Sequence, residues 1–218
     1  MGIKHSMEKY HEIRREYGDQ GLNRQSMLAD PMLQFQKWFD EVRRVEDADP
    51  TAMVLATVDQ QLCPDTRVLL LKELASDGFI FYTNYHSTKG LQIANNQQGA
   101  INFYWSKCAR QVRARGRLEK ISYAQSEAYF KSRPRGSQLS ALASQQSHVL
   151  VNRKILEDSM CALEKKYQSD NIPCPSHWGG YKLIPFSVEF FQGRNSRLHD
   201  RFHYFLKDQQ WSLERLSP

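Results

Sequence analysis

The chain has 218 residues, 25% charged and 40% hydrophobic, enough to bury one substantial core and unlike a disordered or fibrous composition. No apolar run approaches the ~20 residues of a membrane span. The net charge of +6 favours anionic partners, and because Lys and Arg are scattered with no basic tail, small phosphates are expected rather than nucleic acid or a membrane surface.

The four cysteines form no C-x-x-C pair and no signal peptide is apparent, so reduced thiols in a cytoplasmic protein are expected. Residues 1–30 are polar and poor in apolar spacing, which reads as a mobile arm in which Arg14, Arg15, Glu16 and Tyr17 fold over a site as a lid. Asp30-Pro31 is an N-cap followed by proline in the first turn, and Leu33, Trp38, Phe39, Val42 and Val45 continue near helical spacing towards Asp49-Pro50. From Thr51 the period changes to two. Strands are expected over 52–58, 66–72 and 79–83, joined by short turns as an antiparallel meander. A helix over 88–96, strands over 100–105 and 110–121, and a Ser122-initiated helix to Ser132 follow. Helices over 137–144 and 149–167 and strands over 181–192, 201–206 and 210–216 complete the chain, with Gly179-Gly180 read as a turn. The sum is an α+β barrel of seven or eight mostly antiparallel strands with peripheral helices, in a single domain over 31–218.

No glycine-rich nucleotide motif is present, so any phosphate must be held by side chains. Arg67 and Lys72 bracket the aliphatic strand Val68, Leu69, Leu70, Leu71, read as buried with its cations at the rims; snorkelling lysine and arginine would look the same. Ser87-Thr88-Lys89 opens a helix, where free N–H groups, hydroxyls and a lysine suit a phosphate; the plainer reading is a serine N-cap. Tyr129, Arg133 and Ser137 recur every four residues across the break at Pro134, so two hydroxyls and a guanidinium can converge on one anion, although an arginine at a helix C-terminus needs no ligand. Gln111, Arg113, Arg115 and Arg117 share one strand face, with a solvated, ligand-free role read for Arg115 and Arg117. If Arg197-Leu198-His199-Asp200-Arg201 is extended, Arg197, His199 and Arg201 share a face suited to a polyanion or to proton management. A charged edge strand is the alternative. No metal-ligand pattern stands out.

Glu189-Phe190-Phe191-Gln192-Gly193, the Arg197–Arg201 run, Arg67–Lys72, Tyr82-Thr83-Asn84, Arg110–Arg113, Ser132–Arg135 with Ser137-Gln138, and Gln146-Ser147 together resemble the pyridoxine/pyridoxamine 5′-phosphate oxidase family, from Arg14 to Pro218. The resemblance implies an FMN-binding split β-barrel and a homodimer with FMN at the subunit interface. It implies FMN contacts from Arg67 through Lys72, Tyr82, Thr83, Lys89, Gln111, Gln146, Ser147, Phe191 and Arg201, with Thr88 beside them. Lys72, Tyr129, Arg133 and Ser137 would clamp a phosphorylated vitamin B6 substrate. Arg197, Leu198 and His199 would cover its ring, with Arg197 and His199 catalytic, and residues 14–17 would close over it. The implied reaction is oxidation of pyridoxine or pyridoxamine 5′-phosphate to pyridoxal 5′-phosphate, dioxygen becoming hydrogen peroxide, with ammonia released from the amine. Two departures from the family pattern stand out: Thr88 where arginine is usual, and Phe191 where tryptophan is usual. One charge-assisted hydrogen bond lost at Thr88 is worth ~1.5–3 kcal/mol, so weaker FMN retention is expected. The competing readings are a flavin or vitamer binder without turnover and a basic nucleic-acid-binding barrel, the latter disfavoured because aromatics are not interleaved on the basic strand faces.

Overall fold

A computed structural model describes residues 17–18, 20–46, 49–168 and 171–218. Arg14, Arg15 and Glu16 lie outside them. Strands β1 (Ala52–Val58), β2 (Pro64–Leu70), β3 (Glu73–Ala75), β4 (Gly78–Asn84), β5 (Gln98–Trp105), β6 (Arg110–Lys120), β7 (Trp178–Gln192), β8 (Asp200–Lys207) and β9 (Gln210–Leu216) form one 9-stranded antiparallel sheet. Helices α1 (Pro31–Val42), α2 (Thr88–Asn95), α3 (Tyr123–Ser132), α4 (Arg135–Ala143) and α5 (Arg153–Tyr167) surround it. This is the α+β architecture expected from the pattern of elements, in the split-barrel form that the family resemblance implies. No described helix is long and apolar enough to cross a membrane.

The strand order β2-β1-β5-β6-β7-β4-β3 replaces the expected meander. β1–β2 and β3–β4 are hairpins, but β4 pairs with β7 and the two hairpins end at opposite margins of the sheet. The chain closes the barrel between them: Leu71 N–H donates to Thr51 O at 2.8 Å and Lys72 N–H to Ile80 O at 2.9 Å. β2 is therefore a margin strand rather than a buried one, with Val68 65% exposed. Gly179 and Gly180 lie inside β7, not in a turn. A Cβ on Gly179 would come within 2.1 Å of the Tyr85 hydroxyl, so only glycine lets that ring approach the sheet. At Gly116 the β6–β7 register shifts, Phe186 being the extra residue, and a Cβ there would meet Ile184 O at 2.2 Å. That bulge bends the long strands and helps curl the sheet.

Inside the barrel, β1 contributes Met53, Leu55 and Thr57, leaving Val54 and Ala56 on the outer face. The Asp30 carboxylate caps α1 by accepting from Met32 N–H (2.6 Å) and Leu33 N–H (3.3 Å). The helix buries Met32, Phe35, Trp38 and Val42, whereas Leu33 (61% exposed) and Val45 (50%) face solvent, because the helix ends at Val42 and its core stripe runs one residue round from the expected one. Phe35 meets Phe79, Phe103 and Trp105 at ring separations of 5.0, 4.9 and 5.8 Å. Burying such a ring stabilises the fold by roughly 1.5–3 kcal/mol. Residues 20–30 lie along β8 and β9: Leu22 is buried and donates its N–H to Asp200, and Arg24 reaches Leu213 O. A second apolar cluster of Phe130, Leu139, Ile172, Cys174 and Trp178 joins α3–α5 to the start of β7.

Candidate active site

Between this second cluster and the open margin of the barrel lies a cavity of about 810 Å³. It collects Val68, Leu69, Leu70 and Lys72 from the β2–β3 region, Tyr82 and Thr83 from β4, Tyr129, Arg133 and Ser137 from α3–α4, and Gln146 from the following loop. The four-residue spacing of Tyr129, Arg133 and Ser137 thus delivers all three to one wall. Tyr82 and Tyr129 stack at 3.9 Å with planes 16° apart, and Trp178 lies parallel to Tyr82 at 5.4 Å. The Arg133 guanidinium sits 4.7 Å over the Trp178 ring, and its buried Nη1 has no hydrogen-bond partner among the described residues. Burial lowers the pKa of Arg133 and raises that of Tyr129, so Tyr129 stays a neutral O–H donor near pH 7. An unpaired guanidinium on an aromatic wall, with a phenol and Lys72 near it, is a receptor for an anion attached to a flat ring. Thr83 Oγ1 donates to Gln146 Oε1 at 3.2 Å, tying the α4–α5 loop to β4, and Ser147 follows with a left-handed backbone (φ 73°).

A second cationic locus stands where α2 begins. Ser87 caps the helix and accepts from Lys89 Nζ at 3.3 Å. Lys89 is only 7% exposed, and burial followed by repulsion from Arg67 lowers its pKa. Arg67 is held by Thr57, Asp65 and Gln92. Thr88 is exposed beside them. Thr57 and Gln92 escaped sequence reasoning because their elements meet β2 only in the fold, whereas Asp65, two residues from Arg67 on one strand face, was within reach of the period-two pattern.

The remaining predicted residues gather at the other end of β7. Register places Gln111, Phe191 and Arg201 side by side on β6, β7 and β8. The extended run over 197–201 on which a shared face depended is not formed. Asn195–Arg197 is a 3-10 turn in which Ser196 (φ 55°) and Arg197 (φ 59°) are left-handed, and β8 starts only at Asp200. Arg197, His199 and Arg201 therefore do not form one strand face. Arg197 and Leu198 are exposed. The tight turn lets Arg194 N–H donate to His199 Nδ1 at 3.0 Å, so the neutral imidazole carries its hydrogen on Nε2 and presents a donor there. The ring packs between Phe191 (4.8 Å) and the edge of Tyr17 (5.5 Å).

Arg201 is oriented by Glu189, which accepts from its Nε (2.8 Å) and Nη2 (3.2 Å) and also from Arg113. Arg115 and Arg117 are exposed as expected; Arg113 is exposed too but ion-paired to Glu189, and Arg110 at the start of β6 is buried. A lone carboxylate in the apolar run 186–191 was the available sequence signal for Glu189. Burial pushes its carboxyl up, but hydrogen bonds from Arg201 and Arg113 more than offset this, and it titrates below an ordinary glutamate. Because the folded pKa is the lower one, the stabilisation is complete above the ordinary glutamate range and is lost as pH falls through the native value. Glu189→Gln is expected to cost about 1–3 kcal/mol at neutral pH. Thermal melts should show the gap to the parent protein closing on acidification; a pH-independent gap would contradict this role.

Residues 39–165 match the family described as pyridoxamine 5′-phosphate oxidase, and residues 178–218 match the pyridoxine 5′-phosphate oxidase C-terminal dimerisation region. A relative from Legionella pneumophila (strain Paris), named pyridoxine/pyridoxamine 5′-phosphate oxidase, is 51% identical over 95% of this chain and 96% of its own. The chain belongs to the pyridoxine/pyridoxamine 5′-phosphate oxidase family. A family member from Acaryochloris marina (strain MBIC 11017) is 50% identical over 95% of this chain and 94% of its own. The fold is shared with PhzG from Burkholderia lata 383, solved in complex with tetrahydrophenazine-1-carboxylic acid (TM-score 0.85, 24% identity, 92% of this chain and 100% of that one). It is shared too with a pyridoxamine 5′-phosphate oxidase-related, FMN binding protein from Nostoc punctiforme PCC 73102 (TM-score 0.69, 21% identity, 88% and 98%). The family's dimerisation region covers β7–β9 and the 195–199 turn, and so contains Phe191, Arg197, His199 and Arg201.

Proposed function

We propose that this chain is a cytoplasmic, homodimeric, FMN-dependent oxidase that converts pyridoxine or pyridoxamine 5′-phosphate to pyridoxal 5′-phosphate. Dioxygen is the acceptor, and hydrogen peroxide, plus ammonia from the amine, is the by-product. The observation that carries this reading is the unpartnered Nη1 of Arg133 in an aromatic-walled cavity that also holds Lys72, Tyr129 and Ser137. The family relationship supplies the identity of the ring attached to the anion.

The residues fit FMN: Lys89 is a buried ammonium beside a guanidinium, an arrangement that a phosphate would stabilise. Arg67 and Lys89 would hold that phosphate, while Lys72, Tyr82, Thr83, Gln146 and Ser147 would line the path of the flavin with Gln111, Phe191 and Arg201. The chemistry supplied by bound FMN is two-electron oxidation of the substrate's alcohol or amine carbon, with reoxidation by dioxygen. Lys72, Tyr129, Arg133 and Ser137 fix the substrate phosphate and so the position of its ring. Arg197 and His199 then cover that ring, His199 through its Nε2–H, with Tyr17 packed on the His199 ring.

The homodimer follows from reach. Trp178, in the cavity wall, and Phe191, beside His199, stand at opposite ends of the same 15-residue strand. An extended segment between them has a contour of roughly 40 Å, well beyond one vitamer. Neither Arg197 nor His199 lines the cavity of its own chain. We therefore place Arg197 and His199 over the cavity of the partner subunit. Purified protein supplied with FMN should be yellow, and pyridoxine 5′-phosphate should yield pyridoxal 5′-phosphate and peroxide in equal amounts. A yellow but inert dimer would favour the binder without turnover; a colourless and inert one would remove the flavin reading altogether.

A further inference from the structure

Arg67 is already engaged before any ligand is considered. Its Nη1 donates to Thr57 Oγ1 (2.6 Å) and Leu55 O (3.3 Å), and its Nη2 donates to Asp65 Oδ2 (2.6 Å) and Gln92 Oε1 (3.2 Å). Only Nε–H is left. Thr57 (1% exposed, on β1) and Gln92 (7%, on α2) are buried, and Leu55 O belongs to a paired strand. The Asp65 side chain is different: it is 45% exposed on margin strand β2, two residues from Arg67 on the same strand face. It can turn out into solvent without disturbing the barrel. Asp65 also accepts from Gln92 Nε2 at 3.4 Å and lies close enough to Lys89 to act on its charge. A carboxylate thus stands in the midst of the two cations assigned above to the cofactor phosphate.

We propose that Asp65 is an internal counter-anion that occupies Arg67 in the free protein and must be displaced by, or share Arg67 with, an incoming phosphate, so that it sets how tightly this chain retains FMN. This rests on the reading of Arg67 and Lys89 as the cofactor-phosphate site. The carboxylate has two consequences for the same site. It neutralises the guanidinium while the site is empty, which keeps two neighbouring cations compatible with a folded barrel. It repels the phosphate dianion when the site fills, which weakens retention in the same direction as Thr88. Thr57, buried in β1, and Leu55 O keep Arg67 aimed at the site without contact to Asp65.

The test measures affinity rather than turnover. Apo-dimer is titrated with FMN and, separately, with riboflavin, following quenching of flavin fluorescence. Asp65→Asn, which keeps the shape and removes the charge, should tighten FMN about two- to fivefold, the upper part of the ~0.2–1 kcal/mol of a solvent-exposed ion pair lost from competition. It should leave riboflavin, which carries no phosphate, unchanged. Asp65→Ser, which lacks the amide oxygen able to accept from Arg67, should do the same. If either variant binds FMN no more tightly than the parent, Asp65 is only a brace for Arg67 and the proposal is overturned. An equal gain for riboflavin would also overturn it, since the effect would not pass through the phosphate. Arg67→Ala separates the two levels of inference. If that variant retains FMN as the parent does, the phosphate-site reading fails and the Asp65 proposal with it. If Arg67→Ala loses FMN while Asp65→Asn changes nothing, the phosphate site stands and the counter-anion alone is refuted.

Discussion

Arg133→Leu is expected to lower kcat/KM for pyridoxine 5′-phosphate by about a hundredfold, mainly through KM, while leaving the flavin content unchanged. A charge-assisted hydrogen bond to phosphate is worth about 1.5–3 kcal/mol and every 1.4 kcal/mol is a factor of about ten, so one or two such bonds account for the loss. The phosphate is remote from the reacting carbon, and an interaction made equally in ground and transition states appears in KM. The fold should tolerate the change. Arg133 Nη1 has no partner to strand, and leucine keeps apolar contact with Trp178 and Phe130. Steady-state kinetics with and without the substrate phosphate checks this directly: the variant should lose its preference for pyridoxine 5′-phosphate over pyridoxine. An unchanged KM would show that the cavity anion site is not where the substrate phosphate sits.

Arg197→Ala should likewise abolish most turnover while sparing FMN, and the pairing of the two variants is more informative than either. If Arg133 of one subunit works with Arg197 of the other, a mixed dimer has one site carrying both substitutions and one site carrying neither. With one of its two sites intact, the isolated mixed dimer then regains roughly half of parental activity from two nearly inactive proteins. Co-expression with distinct affinity tags, isolation of the mixed dimer and an assay of peroxide release would measure this. Recovery near zero would mean that both residues serve a site within one chain, which the length of β7 argues against.

Much of this was readable locally. The Asp30-Pro31 start of α1, the Ser87 and Ser122 caps, the period-two strands and the grouping of Tyr129, Arg133 and Ser137 all depend on residues within one or two turns of each other. The misreadings share a cause. The run over 197–201 looked extended because its residue types alternate, but the Arg194 N–H bond to His199 favours a left-handed turn that periodicity cannot reveal. Val68 and Leu70 looked buried because they are aliphatic. They are exposed because the β1–β2 hairpin ends at a margin of the sheet.

By itself, then, the order of residues determined the element sequence, the family and the set of side chains available for two phosphates, because caps, periods and motifs act over short chain distances. Tertiary structure alone decided that Gln111, Phe191 and Arg201 stand in one row, that Leu71 and Lys72 join opposite margins of the sheet, and that Thr57 and Gln92 hold Arg67. The physical reason is register: a shift of one residue turns every side chain to the other face, and long-range pairing with the rest of the sheet sets which residues meet across strands.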